Sequence, residues 1–249
     1  MIKAEYDIAE MLDELGLTTA AICWKQLIKS PEYGNYTPKQ ILLEILTPQY
    51  IQAMNDRYMT NLKFSKLIDK SAKIEDLKTG NGRRYNDETV KQILDFSFVP
   101  SGFNVGIYGK TGAGKSYFMS ALCHEACRQN YRCQYIDYYA LMDELLRLSL
   151  SDMVKYTKKI KYYAHLKILF IDDFCSSRYS EDAMKILYHL VKLRTDFKNP
   201  TVFNSQHDPS EWGSKLSDNP DCYGKLDGIR RRLTTGFTIE IVKVENENA

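Results

Sequence analysis

Eight residues constrain this chain more than any other feature: Gly109-Lys110-Thr111-Gly112-Ala113-Gly114-Lys115-Ser116, set between the apolar run FNVGIY and a helical stretch that begins near Lys115. The three glycines let the main chain turn so that several N–H groups face one concavity, and the start of the helix adds the positive end of its dipole. A strand, a glycine-rich loop and a helix in this order make a P-loop, which cradles the phosphates of a nucleoside triphosphate. The expected binding segment runs through Tyr117. Within it, Lys115 suits the β- and γ-phosphates and Ser116 suits Mg²⁺. The bland alternative is a glycine-rich turn that happens to precede a helix.

Binding alone does not imply hydrolysis, which needs acids beside the phosphates. The run KILFIDDF supplies four apolar residues followed by Asp172 and Asp173. A buried strand would carry both to its carboxyl end, where open α/β sheets place their ligands. Asp172 is expected to hold Mg²⁺ and Asp173 to polarise the attacking water. Two abutting acids at the end of an apolar strand are costly unless a cation answers them. The run TVFNSQ ends a further strand; if that strand lies between those of the P-loop and Asp172, Asn204 can orient the water. Asn is also a common turn former. The cluster Arg230-Arg231-Arg232 offers guanidinium forks suited to the γ-phosphate of a neighbouring subunit, although a solvated basic face would account for some of it.

Around these motifs, short apolar runs alternate with amphipathic stretches, the pattern of a parallel sheet covered on both faces. Strands are expected at 103–108, 132–137, 167–171, 201–205 and 237–242, and helices near 115–130, 138–163, 181–198 and 209–232. The fold class is therefore α/β, a three-layer P-loop sandwich on a five-stranded parallel sheet. Residues 1–78 read instead as a small all-helical domain of short hairpins, restarted at Thr37-Pro38, a cap and first-turn pair. The glycine- and asparagine-rich stretch at 79–87 reads as a linker, 88–244 as the nucleotide domain, and 245–249 as a disordered tail.

Composition narrows the setting. The 34 Lys plus Arg nearly balance 32 Asp plus Glu, giving +2, so any nucleic-acid surface must come from local clustering. Six cysteines form no CxxC pair, which argues for a reducing compartment and against zinc. Cys123 and Cys127 share a helical face, where two small soft residues more often pack than hold a metal or form a disulfide. No apolar run approaches the length of a membrane span, and the acidic N-terminus does not resemble a signal peptide, so a cytoplasmic location without membrane contact is expected.

In the order and spacing of GIYGKTGAGKSYFMSAL, KILFIDDF, TVFNSQHDPSEW and LDGIRRRL, after a helical region containing YIQAMNDRYMTNLKFSKLIDKSAKIEDL, the sequence resembles the IstB-like ATP-binding proteins of insertion sequences. These are relatives of the DnaC-type helicase loaders within the AAA+ ATPases. The resemblance covers nearly the whole chain. It implies Mg²⁺-dependent hydrolysis of ATP, with Asn204 in the sensor 1 place and Arg232, then Arg230, in the arginine-finger place. Asp173 stands where many AAA+ enzymes carry Glu. The few residues after the last strand leave no room for the family's C-terminal helical lid, so a neighbouring subunit is expected to wall the site.

The resemblance further implies a ring or filament on double-stranded DNA and a transposase partner. Lys155, Lys158, Lys159 and Lys161, interleaved with Tyr156, Tyr162 and Tyr163, are the expected DNA contacts; lysines neutralise phosphates and tyrosines bond or stack. A second basic series, Arg57, Lys63, Lys66, Lys70 and Lys73, lies in the helical region. Either set can be a solvated helix face. The alternative reading is a loader that binds single-stranded DNA and a replicative helicase. A small-molecule kinase lacks its arginine-bearing lid here, and a nucleotide-gated module without turnover is the fourth reading.

Overall fold

The computed structural model describes residues 7–77, 83–178, 180–217 and 219–243. Two compact units divide the chain, 1–60 and 61–249. In the first, helices α1 (Ile8–Glu14) and α2 (Thr18–Leu27) precede most of α3 (Pro38–Ser65), whose last five residues belong to the second. Asp7 caps α1 by accepting from the N–H groups of Ala9 and Glu10. Thr37 and Gln40 form a reciprocal cap at the start of α3, with the Thr37 N–H and hydroxyl both donating to Gln40 Oε1. In place of short hairpins, α3 runs 28 residues and passes through Pro48. A proline removes one helical hydrogen bond, but the turns on either side here keep the helix continuous.

The second unit contains β1 (Arg83–Arg84), α4 (Asp87–Leu94), α5 (Phe98–Ser101), β2 (Asn104–Tyr108), α6 (Lys115–Arg128), β3 (Cys133–Asp137), α7 (Tyr138–Ser151), α8 (Met153–His165), β4 (Ile168–Phe174), α9 (Glu181–Asp196), β5 (Thr201–Ser205), α10 (Trp212–Leu216), α11 (Tyr223–Leu233), β6 (Gly236–Glu240) and β7 (Val242–Lys243). Within the expected linker, Arg83 and Arg84 thus form β1, Asn86 caps α4 and Asp87 begins it. Residues 79–82 of that linker and the tail 245–249 lie outside the described residues.

Five parallel strands form one sheet in the order β3-β4-β5-β2-β6. The β5 strand therefore lies between the P-loop strand β2 and the acid-bearing strand β4. Side-chain alternation along the strands divides the core. Leu169, Ile171 and Phe203 join one buried cluster with α7, α8, α9 and α11. Asp172 and Asn204 take the other face, that of α6. The small sheet β1-β7 is antiparallel, pairing Arg84 with Val242.

Two expected helices are broken. The stretch 138–163 divides at Asp152, whose extended backbone ends α7 while its carboxylate accepts from the Val154 and Lys155 N–H groups to start α8. The stretch 209–232 holds α10, a 3₁₀ turn at Pro220–Cys222, and α11. Arg194 fastens the sheet from within. Its fully buried guanidinium donates to Thr201 Oγ1 and to the carbonyls of Tyr163, Leu166 and Pro200, tying α8 and α9 to the start of β5.

Candidate nucleotide site

The loop 109–114 leaves the C-terminal end of β2 and enters α6 at Lys115. Its backbone needs glycine at two positions for separate reasons. Gly109 has φ 148°, and a Cβ there would run into the Ile241 carbonyl oxygen. Gly114 has φ 100° as the cap of α6, and a Cβ there would meet the Arg83 guanidinium 2.8 Å away. Lys115 is only 6% exposed, and its ammonium donates to the carbonyls of Gly109 (2.8 Å) and Lys110 (3.1 Å). Burial lowers its pKa, against the attraction of Asp173 and Asp172, which favours the charge.

Four of the sequence-selected residues meet in one hydrogen-bonded chain. Ser116 Oγ donates to Asp172 Oδ1 at 3.0 Å, and the side-chain amide of Asn204 donates to the same oxygen. Asn204 Oδ1 then accepts the Asp173 N–H at 2.8 Å. Asn204 is completely buried, so its orientation is fixed by these partners. Asp173 adopts the left-handed region, φ 53°, where the β4–β5 register shifts between Ile171 and Phe174. Asp tolerates this conformation better than most residues. Burial, and next the negative charge of Asp172, raise the Asp173 pKa, while Lys115 opposes them.

The donor set of Ser116 and Asp172 is all oxygen, which fits a hard cation such as Mg²⁺, and a cation would relieve the repulsion between Asp172 and Asp173. Thr111 Oγ1 donates to Gln206 Oε1 at 2.8 Å, joining the P-loop to the segment after β5. Tyr117 faces elsewhere: its hydroxyl donates to Asp76 Oδ2 at 2.7 Å and its ring lies 5.9 Å from the Arg83 guanidinium.

Sequence reasoning missed two members of this neighbourhood. Tyr135 on β3 donates its hydroxyl to Asp172 Oδ2, the oxygen opposite the one used by Ser116 and Asn204. Period-two alternation from Cys133 was the available signal. Arg83 reaches the P-loop from β1, a strand defined only by its pairing with β7, so no local pattern marks it.

The basic residues are placed differently. Arg230 is exposed and bonds Asp227 at 2.7 Å, and Arg232 stacks over the Tyr188 ring at 5.1 Å while donating to the Gly228 carbonyl. Both arginines thus spend these contacts within α11 and α9, not on the phosphate loop. On α8, Lys158 and Lys161 are exposed, as is Lys155, which pairs with Asp152 at 3.2 Å. Lys159 pairs with Glu144 at 2.8 Å and lies over the Tyr162 and Tyr163 rings. Tyr163 is buried and donates to Glu144, and Tyr162 donates to Gln134. These bonds direct the Tyr162 hydroxyl to β3 and the Tyr163 hydroxyl to α7, with Tyr162 partly buried.

The chain is 28% identical over 179 residues to a protein of Pseudomonas fluorescens described as an IS1162 insertion-sequence ATP-binding protein, covering 72% of this chain and 76% of that one. It is 26% identical over 208 residues to an insertion-sequence ATP-binding protein of Sinorhizobium fredii, covering 84% and 82%. The crystal structure of DnaI superposes with a TM-score of 0.58 at 22% identity, over 70% of this chain and 92% of that one, a likeness of AAA+ P-loop fold. The family described as IstB-like ATP binding protein matches residues 10–247. By that match, the chain belongs to the IstB-like ATP-binding proteins.

Proposed function

We propose that this chain is a cytoplasmic, Mg²⁺-dependent ATPase that assembles on double-stranded target DNA as a ring or filament and stimulates a partner transposase. The observation that carries the hydrolytic half is the chain Ser116–Asp172–Asn204–Asp173, which gathers metal-type oxygens and a base-type carboxylate at the ends of adjacent strands β4 and β5. The insertion-sequence relatives favour transposition as the setting.

In this reading Lys115 exchanges its two carbonyl bonds for β- and γ-phosphate oxygens, at little cost because the loop already holds it in reach. Ser116 and Asp172 hold Mg²⁺, with Tyr135 fixing the free carboxylate oxygen. Bound there, the ion would neutralise charge on the phosphate oxygens. Asp173 accepts a hydrogen bond from the attacking water, and Asn204 keeps the Asp173 main chain in place. Arg232, with Arg230 as the second candidate, serves the γ-phosphate of an adjacent copy. Lys155, Lys158 and Lys161 supply exposed charge for the DNA backbone.

A salt-titrated binding assay tests the proposal. With ATP, affinity for duplex should fall steeply as salt rises, and Lys115→Ala should abolish the ATP-promoted part. No affinity for duplex in the presence of ATP would overturn it, and preference for single strands with capture of a replicative helicase would favour a loader instead.

A further inference from the structure

Cys123 and Cys127 lie one helical turn apart on α6, and Cys133 is the first residue of β3. Packing of α6 on the sheet brings these three thiols, from two elements, into one closed apolar spot where each is completely buried. The Cys133 sulfur lies 3.9 Å from that of Cys123 and 3.5 Å from that of Cys127, and all three sulfurs fall within 4.8 Å of one another. Among the described residues this is the one cluster of three Cys, His, Asp or Glu ligand atoms so close together.

The size of that triangle carries the argument. Sulfurs bound to one central ion at about 2.3 Å, in a plane, stand about 4.0 Å apart. The two separations from Cys133, 3.9 and 3.5 Å, lie at and somewhat below that value, and the third is within 4.8 Å, so an ion could enter with side-chain adjustments. We propose that Cys123, Cys127 and Cys133 form a three-thiolate site for a soft, thiophilic d¹⁰ cation of the zinc and copper(I) class. A hard ion such as Mg²⁺, which demands oxygen, is discriminated against by the all-sulfur donor set. Binding is an exchange without redox change: three S–H bonds give up their protons to solvent and three sulfur–metal bonds form. A divalent ion leaves one net negative charge in the cluster, against two for a monovalent ion, so the divalent form is the less costly to bury.

The sequence pattern concealed this site. Cys123 and Cys127 alone offer two ligands at helical spacing, and the third comes from the next strand. Three soft small residues can also simply fill the α6–β3 contact, and a titration separates the two outcomes without reference to nucleotide chemistry.

The test adds Cd²⁺ to the reduced full-length protein and follows sulfur-to-cadmium charge-transfer absorption in the presence of a competing chelator. One Cd²⁺ per chain is expected. Binding should weaken by more than about tenfold in Cys133→Ala and stay unchanged in Cys23→Ala, which removes the one cysteine that is not buried. Absence of the charge-transfer band in wild type, or equal binding by Cys133→Ala, would overturn the proposal. Should Cys133→Ala fail to fold, X-ray absorption on cadmium-loaded wild type decides: three sulfurs around the ion support the site, and fewer than three refute it.

Discussion

Asn204 holds Asp173 through the main chain: its carbonyl oxygen accepts the Asp173 N–H at 2.8 Å while its amide donates to Asp172. One buried side chain on β5 thus sets the spacing of both acids on β4. Neither acid can shift without breaking a bond to Asn204.

Replacing that side chain should therefore affect turnover more than binding. Asn204→Ala should lower the ATP hydrolysis rate by roughly 10²-fold while leaving nucleotide affinity near wild type. Leaving buried partners unmet should also cost about 1–3 kcal/mol of stability. Steady-state hydrolysis, nucleotide titration and chemical unfolding check the three effects.

Asp173 gives a pH signature. Its pKa is raised in the folded chain, so the native state binds the proton more tightly than the unfolded state does. Its stabilising contribution is present at acid pH and is lost as pH rises through the raised folded value. Asp173→Asn should consequently be more stable than wild type at neutral pH, with a flatter pH profile on the acid side, yet hydrolyse ATP far more slowly. Thermal unfolding from acid to neutral pH, alongside ATPase assays, checks both.

Tyr135 acts through Asp172. Removing only its hydroxyl in Tyr135→Phe leaves one carboxylate oxygen without its donor and should raise the Mg²⁺ concentration needed for half-maximal hydrolysis by about 10–100-fold. The maximal rate at saturating Mg²⁺ should change much less. A Mg²⁺ titration of the ATPase rate separates these effects.

Arg232 stacks on Tyr188 and bonds Gly228 within its own subunit. Arg232→Ala should lose hydrolysis alone and regain part of it when mixed with Lys115→Ala, because each variant supplies the half-site that the other lacks. No recovery in the mixture would count against action across subunits.

Much of this site was legible because its parts are local. The P-loop, the Asp172-Asp173 pair and the end of the Asn204 strand each occupy a few consecutive residues with a distinctive pattern. Only the order of strands was conditional, and β5 does lie between β2 and β4. What was hidden depends on reach between elements. Tyr135 meets Asp172 across two strands, Arg83 meets the P-loop from a strand made only by pairing with β7, and Cys133 joins two cysteines on another element. The break at Asp152 was hidden for a different reason: apolar periodicity continues on both sides of it, and only the capping geometry of its carboxylate marks the end of one helix and the start of the next.

The most direct test of a pocket completed by a neighbour on DNA is the ATP hydrolysis rate of the purified chain alone, with single-stranded DNA and with duplex. The account predicts a slow rate alone and a rise of at least about tenfold with duplex, accompanied by growth in particle size. A dilute, DNA-free monomer that hydrolyses ATP at the duplex-stimulated rate would contradict it.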